Sequence, residues 1–351
     1  MKTLCLKVKL RQAEAALRLV KRLGILRGEA EPLRLEGFLY IPLQTRPPED
    51  LLEAHGLAEA ELVEAELPER AKPKSLLEAL EGRVPSELLG SIPRSLDIIG
   101  HIAVVELQPA LEPYAEILGE AIMKVHRNVR TVLAKAGPIS GELRIRPLKL
   151  VAGENRTETV HREHGCLFRL DVTKVYFSPR LSFEHARVAG KVSEGERVLD
   201  MFAGVGPFSI LIAKRLREVE VYAVDINPEA YRYLAENIRL NRVEGKVKPL
   251  LGDIRQLAQA ELKGLKFNRV IMNLPGEAYK YLAEACQLSA ENATIHYYCF
   301  ARGKQPEKQA AEDLLEKLAS LNRSGEILEA RLVREVAPRT WQVAVDFKIK
   351  P

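Results

Sequence analysis

Residues 198–215 read VLDMFAGVGPFSILIAKR, and this stretch gives the strongest indication of the fold. A short apolar strand leads into a loop that holds Gly204 and Gly206, and a helix is expected to begin near Phe208. Glycines let the backbone turn sharply and leave room for a ligand at the carboxyl end of a strand. Ser209 occupies the place of the third glycine in the dinucleotide-binding pattern GxGxxG. The loop therefore predicts a ligand site, and by itself it leaves a nucleotide-binding dehydrogenase open.

The chain from about residue 191 to its end continues this alternation of strand and helix. Short apolar runs separated by helical segments indicate βα units and a doubly wound α/β sheet. The segments ILEARLVREVA and WQVAVDFKIK are expected to form an antiparallel hairpin that closes one edge of the sheet. The apolar runs are RVLDMF, VEVYAVDI, KVKPLLGD, FNRVIMNLP and ATIHYYCF.

Polar residues follow three of these predicted strands. Asp225 ends a strand about twenty residues beyond the glycine loop, where a carboxylate can accept hydrogen bonds from both ribose hydroxyls. Asp253 ends the next strand and can accept from the exocyclic amine of adenine. The turn at residues 273–275, Asn-Leu-Pro, is typical of methyltransferases that act on base nitrogens. With the glycine loop, these elements predict an S-adenosylmethionine-dependent methyltransferase.

The composition excludes several classes of protein. The chain has 351 residues, enough for two or three domains. No apolar run reaches the roughly 18 residues of a membrane span, and the first residues lack the pattern of a signal peptide, so we expect a cytoplasmic protein. The four cysteines have no metal-ligand spacing, so neither a disulfide framework nor a metal site is predicted. The net charge of +5 is only weak evidence for a polyanionic partner.

Residues 1–70 are predicted to form a small α+β domain. Its elements are a strand at 4–10, a helix at 13–23 and a strand at 35–43. The prolines at positions 68 and 73 indicate a linker after it.

Residues 72–190 are predicted to form a central α+β domain. Residues 98–107 alternate as a strand, and residues 115–134 predict a long amphipathic helix with several basic side chains. With Arg144 and Arg146 nearby, these side chains form either a solvated face or a surface that contacts phosphates.

Six segments of the chain carry a resemblance to a known family. They are PRSLDIIGHIAVVEL, GELRIRPLKLVAGE, EHGCLFRLDVTKVYFSPRLSFEHARV, LDMFAGVGPFSI, AVDINPEA and MNLPGEAYKYL. They resemble the archaeal and eukaryotic tRNA (guanine-37-N1)-methyltransferases over nearly the whole chain. The resemblance implies a class I, Rossmann-like methyltransferase domain at 191–351, a central RNA-binding domain at 72–190 and a small tRNA-contacting domain at 1–70. It also implies S-adenosyl-L-methionine as cofactor and tRNA, through its anticodon loop and body, as partner of a monomer.

The resemblance also implies roles for individual residues. Guanine N1 carries a proton at neutral pH, so methylation there needs a base near N1 and a hydrogen-bond donor at O6. By resemblance, Glu184 is the general base and Arg144 contacts O6, while Asn273 and Pro275 shape the guanine pocket and Tyr176 lies in the matching YFSPRL segment. The target base must leave its stack to reach such a pocket.

The expected cofactor-binding residues form a larger set. They are His185, Phe202, Gly204, Gly206, Asp225, Ile226, Asp253, Ile254 and Asn273. Two positions depart from the family pattern. The family commonly has Arg directly after the catalytic Glu, whereas this chain has His185 there and its arginine at Arg187, which leaves a surface histidine as an alternative. After the Asn-Leu-Pro turn the family has Ala-His, and this chain has Ala278 and Tyr279.

Several other functions stay open at this point. An aminocarboxypropyl transferase of the wyosine pathway shares the fold, the cofactor and the tRNA position, although Glu184 and the Asn-Leu-Pro turn argue against it. A dual-specificity methyltransferase that also acts on a tricyclic guanosine derivative is a second alternative. An NAD-dependent oxidoreductase is disfavoured by Ser209, and a catalytically silent RNA-binding protein by the intact candidate residues. For single residues, the alternatives are a helix-start carboxylate at Glu184 and a phosphate contact at Arg144.

Overall fold

A computed structural model describes residues 1–69, 73, 75–93, 95–137, 141 and 143–350. The chain divides into two compact units, Met1–Ile92 and Pro93–Pro351. Beyond Ile92, the regions predicted at 72–190 and 191–351 therefore lie in one unit. Part of the linker predicted around residues 68–73 lies outside the described residues.

The first unit contains a four-stranded sheet of order β2-β3-β1-β4. Its elements are β1 (Lys2–Lys9), α1 (Ala13–Arg22), β2 (Leu33–Leu35), β3 (Phe38–Pro42), α2 (Glu49–Ala54), β4 (Glu61–Glu66) and α3 (Leu76–Leu80). The predicted first strand and helix are confirmed. The strand predicted at 35–43 is confirmed from Phe38 to Pro42, and its predicted start is wrong, because Glu36 and Gly37 both have positive φ angles and form a two-residue hairpin turn after β2.

The second unit begins with a mixed four-stranded sheet, order β5-β6-β7-β8, and a separate β9-β10 hairpin. The elements are β5 (Asp97–Ile99), β6 (Ile102–Val105), α4 (Ala115–Val125), β7 (Thr131–Lys135), β8 (Leu148–Gly153), β9 (Glu158–Glu163), β10 (Cys166–Asp171) and α5 (Ser182–Lys191). The helix predicted at 115–134 ends at Val125 instead. Residues 131–134 are fully buried and pair parallel to β6, and the β-branched Thr131 and Val132 favour that strand.

The rest of the second unit is built around a seven-stranded sheet of order β13-β12-β11-β14-β15-β17-β16. Its elements are β11 (Arg197–Asp200), α6 (Pro207–Arg215), β12 (Glu220–Asp225), α7 (Pro228–Asn241), β13 (Val247–Leu251), α8 (Ile254–Leu257), β14 (Phe267–Met272), α9 (Leu282–Leu288), β15 (Ser289–Arg302), α10 (Pro306–Ser320), β16 (Ser324–Ala337) and β17 (Thr340–Lys350). Strands β11 to β15 are parallel, and β17 joins antiparallel to β15. The predicted doubly wound sheet and its terminal hairpin are confirmed.

Successive residues of the parallel strands pack into cores on opposite faces of this sheet. Val198 lies in the core with α6 and α7, and Leu199 lies in the core with α9 and α10. Val270 and Ile271 of β14 divide in the same way. Strands buried on both faces are apolar without interruption, which is why these runs stand out in the sequence.

The asparagine pair of α7, Asn237 and Asn241, hydrogen-bonds to the β9-β10 hairpin. Asn241 accepts from the backbone N–H of Leu167 at 2.9 Å and donates to its carbonyl at 2.7 Å. Asn237 makes the same two bonds with Arg169, at 2.7 and 3.0 Å. Asn237 Nδ2 also donates to the carbonyl of Val205 at 3.1 Å, so the hairpin and the glycine loop are fixed to the same side chain.

Candidate active site

A cavity of about 870 Å³ lies at the carboxyl ends of the parallel strands. This volume suits a cofactor-sized molecule, for which sites of roughly 300–1,000 Å³ are usual. Most of the residues predicted for the site line it: Arg144, Tyr176, Phe202, Gly204, Asp225, Ile226, Asp253, Ile254, Asn273 and Pro275. Of the described residues predicted for the site, Glu184, His185 and Gly206 do not line it.

Asp225 joins the glycine loop to the end of β12. Its Oδ2 accepts from the backbone N–H of Gly204 at 2.7 Å, and its Oδ1 accepts from that of Asn227 at 2.9 Å. Burial raises the pKa of Asp225, while these backbone hydrogen bonds oppose the rise. Each carboxylate oxygen can accept more than one hydrogen bond, so Asp225 retains acceptor capacity toward the cavity. The carboxylate therefore fits the hydroxyls of a ribose.

Asp253 begins α8 as its N-cap. Its Oδ1 accepts from the backbone N–H of Arg255 at 2.8 Å. The hydrogen bond from the Arg255 side chain lowers the pKa of Asp253, so its carboxylate is charged at neutral pH. Asp253 lines the cavity together with Asp225.

The Asn-Leu-Pro turn directly after β14 forms the other end of the cavity. Asn273 Oδ1 is buried, and no described residue hydrogen-bonds to it. Arg144 lies beside this turn: a Cβ placed on Gly276 would be 3.8 Å from Arg144 Nη1 and 3.8 Å from the ring of Phe300. Asn273 and Arg144 therefore both line this end of the cavity, next to the ring of Phe300. Such an arrangement can bind a base that presents both a donor and an acceptor.

Tyr176 lies between the two ends of the cavity. Its backbone oxygen is 3.8 Å from a Cβ placed on Gly204, and its hydroxyl accepts from Arg334 Nη2 at 3.3 Å. The Tyr176 side chain is 36% exposed, so its ring is accessible to a base that enters the cavity.

Glu184 and His185 are buried in the first turns of α5. Glu184 accepts from the Tyr298 hydroxyl at 2.8 Å and from Arg187 Nε at 3.0 Å, and it forms an ion pair with Arg331. His185 Nδ1 is 2.7 Å from Glu163, so the surface-histidine alternative is wrong. Neither side chain lines the cavity. Glu184 contacts Tyr298 and Arg331 of the large sheet, whereas His185 packs against the ring of Phe208 in α6.

Gly206 is also placed behind the cavity wall. A Cβ on it would meet Leu234 Cδ1 at 2.6 Å and Ile210 Cδ1 at 2.9 Å. Its φ of +93° begins α6 in the left-handed region. Gly206 therefore shapes the loop and its packing.

Several cavity residues are absent from the sequence prediction. They are Ser178, Arg180, Tyr281, Phe300, Arg334 and Gln342. For Arg334 the sequence does contain a signal. Side chains on one face of a regular strand are two residues apart, whereas Arg331 and Arg334 are three residues apart. For both to lie on one face, the strand needs a β-bulge between them.

The described part of the chain gives two further findings. In it, no group of three or more His, Cys, Asp or Glu side chains is arranged to hold a metal ion. None of its helices is both long and apolar enough to cross a membrane.

The fold and the site together define a class I methyltransferase, with a glycine loop after the first parallel strand and acidic residues at the ends of the next two. A family model described as the TRM5/TYW2 methyltransferase domain matches residues 159–327, and one described as the TYW2 N-terminal domain matches residues 76–157. The chain is 42% identical over 348 residues to the tRNA (guanine(37)-N(1))-methyltransferase Trm5b of Pyrococcus abyssi, covering 99% of both chains. It therefore belongs to the tRNA (guanine(37)-N(1))-methyltransferase family, which confirms the resemblance found in the sequence.

Two solved structures, one of a Trm5 and one of a TYW2, are also similar to this chain. The structure of the complex of aTrm5 and tRNALeu is 36% identical, with a TM-score of 0.71, and the match covers 99% of this chain and 100% of that one. The structure of Methanocaldococcus jannaschii TYW2 in complex with AdoMet is 30% identical, with a TM-score of 0.55, and the match covers 73% of this chain and 99% of that one.

Proposed function

We propose that this protein transfers the methyl group of S-adenosylmethionine to N1 of guanosine 37 in tRNA, on the 3′ side of the anticodon. The observation that carries the proposal is the two-ended cavity. Asp225 and Asp253 line one end, and Asn273 and Arg144 line the other; Asn273 Oδ1 has no hydrogen-bond partner among the described residues. Membership of the family and the tRNA complex of a relative support the choice of substrate.

The residues at the first end of the cavity fit the cofactor. Asp225 would hold the ribose hydroxyls and Asp253 the adenine amine, while Phe202 and Tyr281, whose rings meet edge to face at 5.1 Å, provide an apolar wall. When bound, S-adenosylmethionine supplies an electrophilic methyl group. The left-handed backbone at Gly204 lets the loop follow the ligand closely without a side chain in the way.

The residues at the second end fit guanine. Asn273 Oδ1 can accept a hydrogen bond from a proton-bearing guanine nitrogen, which satisfies a buried oxygen that otherwise lacks a partner among the described residues. The Arg144 guanidinium can donate to O6, where negative charge develops when N1 loses its proton. Tyr176 offers a ring surface for the base once it has left its stack. Together these contacts would orient the base, and the Arg144 contact with O6 would stabilise the form in which N1 has lost its proton.

Glu184 remains the proposed general base. In the structure its carboxylate is engaged by Tyr298, Arg187 and Arg331. To reach N1, it would have to exchange at least the contact with Arg331, which lies on the strand that also carries Arg334. Loss of the buried ion pairs predicts a lower stability of Glu184→Gln under either role. The roles are therefore separated by kcat, measured well below the Tm of the variant: a base role predicts a large loss of kcat, whereas a purely structural role predicts a kcat close to that of the wild type.

The test uses S-adenosylmethionine labelled with tritium in the methyl group and with carbon-14 in the carboxyl group. Unmodified tRNA transcripts carry guanosine or adenosine at position 37, and the variants are Glu184→Gln, Asn273→Ala and the control Glu326→Ala, an exposed carboxylate of β16. We expect only tritium to enter only the guanosine transcript, with activity reduced at least about 100-fold in Glu184→Gln. The control should match the wild type.

Two outcomes would redirect the assignment. Transfer of carbon-14 to the RNA would support the aminocarboxypropyl alternative, which the match to the TYW2 N-terminal domain keeps in view. Full activity of Glu184→Gln, together with methylation of guanosine 37, would remove the general-base role and leave the substrate assignment intact.

A further inference from the structure

Arg334 reaches the cavity because of a β-bulge in the edge strand β16. Leu332 pairs with Val343 of β17, and the next pair is Arg334 with Gln342, so Val333 is an extra residue. Regular alternation would direct residues 331 and 334 to opposite faces of the sheet. The bulge brings them to the same face, where Arg331 pairs with Glu184 and Arg334 lines the cavity.

The Arg334 guanidinium is held by three neutral groups. Its Nε donates to Gln342 Oε1 at 3.0 Å, Nη1 to Ser178 Oγ at 3.2 Å and Nη2 to the Tyr176 hydroxyl at 3.3 Å. Gln342 and Ser178 are themselves buried, with exposures of 1% and 8%. A guanidinium has five N–H donors, so two of them are left for a ligand.

Arg334 has no counter-ion among the described residues, since none of their carboxylate oxygens lies within 4.0 Å of its nitrogens. Two other cations of the cavity wall do have one. Lys135 pairs with Glu106 at 2.9 Å, and Arg180 pairs with Asp97 at 2.5 Å. A half-buried cation with neutral partners is poorly compensated, and an anion that arrives with the substrate would correct this.

The position of Arg334 in the sheet indicates which anion this is. Asp225 and Asp253, the residues proposed to bind the cofactor, lie at the ends of β12 and β13, on one side of β11. Strand β16 is the opposite edge, with β14, β15 and β17 in between. Arg334 therefore lies on the Asn273 side of the cavity, where the base is proposed to bind, and away from Asp225 and Asp253.

We propose that Arg334 is a positioning residue that binds a backbone phosphate of the RNA at the nucleotide whose base enters the cavity. The inference rests on the proposed function, because it requires an RNA substrate. Its fork-shaped guanidinium suits bidentate binding of a phosphate, and its bond to the Tyr176 hydroxyl would couple phosphate binding to the placement of that ring. The phosphate thereby sets the register of the strand relative to the base pocket.

The test measures the Kd for an unmodified guanosine-37 tRNA over a series of salt concentrations, together with KM for tRNA, KM for S-adenosylmethionine and kcat. The variants are Arg334→Gln and Arg334→Lys, and the control is Arg323→Gln, which removes the same charge from an exposed arginine just before β16. Thermal unfolding of each variant checks that the sheet is intact.

We expect Arg334→Gln to weaken tRNA binding about tenfold or more at low salt. The slope of log Kd against log salt should fall by about 0.7, the value for one phosphate contact on a single strand. Arg334→Lys should keep most of the slope, and Arg323→Gln should keep both values. KM for S-adenosylmethionine should stay unchanged.

An unchanged salt slope in Arg334→Gln would overturn the proposal. A rise confined to KM for S-adenosylmethionine would also overturn it, because the guanidinium would then bind the carboxylate group of S-adenosylmethionine and not a phosphate. A wild-type protein that methylates no tRNA would refute the proposed function itself, and the three outcomes are distinguishable in one set of measurements.

Discussion

Replacement of Gly206 by alanine tests whether this glycine is required for packing behind the cofactor loop. The residue has φ +93° and ψ +29° and precedes α6. An added Cβ would lie 2.6 Å from Leu234 Cδ1 and 2.9 Å from Ile210 Cδ1, well inside ordinary contact. Gly195 provides a matched control, since its φ is +78° and a Cβ added there would meet no described atom within 4 Å. Both substitutions place a Cβ on a left-handed backbone, and only Gly206→Ala also brings that Cβ into steric overlap with neighbouring side chains.

The expected magnitudes follow from these distances. A left-handed backbone costs a residue with a Cβ about 1–2 kcal/mol, which applies to both variants. Overpacking adds about 1–3 kcal/mol at Gly206, because the two methyl groups must move. For a unit of this size, 1 kcal/mol lowers Tm by roughly 2–4 °C. Gly206→Ala should therefore melt about 2–12 °C below Gly195→Ala.

The assay is thermal unfolding followed by the fluorescence of Trp341. This is the single tryptophan of the chain, and it lies on β17 of the seven-stranded sheet, so it reports on the unit that contains both glycines. Equal melting temperatures for the two variants would refute the packing argument and reduce Gly206 to a conformational requirement alone.

Two further predictions concern buried carboxylates, both followed by Trp341 fluorescence. Asp346→Asn should lower the free energy of unfolding by about 3–5 kcal/mol, because it removes the buried carboxylate that pairs with Arg187 and Lys191 and lies 2.7 Å from His296 Nδ1; a urea-measured loss under about 1 kcal/mol would contradict this. Burial raises the pKa of Asp200 to about 7, so its contribution to stability is present below about pH 4 and is lost as the pH rises through 7. The Tm of Asp200→Asn minus that of the wild type should thus increase from about pH 5 to about pH 8, and a constant difference would disprove the assignment.

The sheet could be predicted from the sequence because its strands are buried on both faces. Uninterrupted apolar runs of this length, such as those around Val198 and Val270, are typical of parallel strands covered by helices on either side. The helix predicted at 115–134 is wrong beyond Val125. The apolar residues at 131–134 fit both the helical period of about 3.6 residues and the strand period of two. Only their pairing with β6, which is distant in sequence, selects the strand.

The candidate site could be predicted where a residue follows its strand directly. Asp225, Asp253 and Asn273 line the cavity because strand ends meet along one edge of a parallel sheet. The family resemblance places Glu184 and His185 in the site, whereas in the structure both are buried in the first turns of α5 and do not line the cavity. The rotation of a helix about its axis depends on its packing, which local sequence does not determine.

The asparagine pair has a consequence beyond holding the hairpin. A two-stranded sheet leaves an open edge whose N–H and C=O groups can recruit a strand from another chain. Asn237 and Asn241 hydrogen-bond to the backbone N–H and C=O groups of Leu167 and Arg169. Their side-chain amides thus take the place that the backbone of a third strand would otherwise fill. Protection against aggregation at this edge thus depends on two amides. Their hydrolysis to carboxylates would place a negative charge against each backbone carbonyl and expose the edge to intermolecular strand addition.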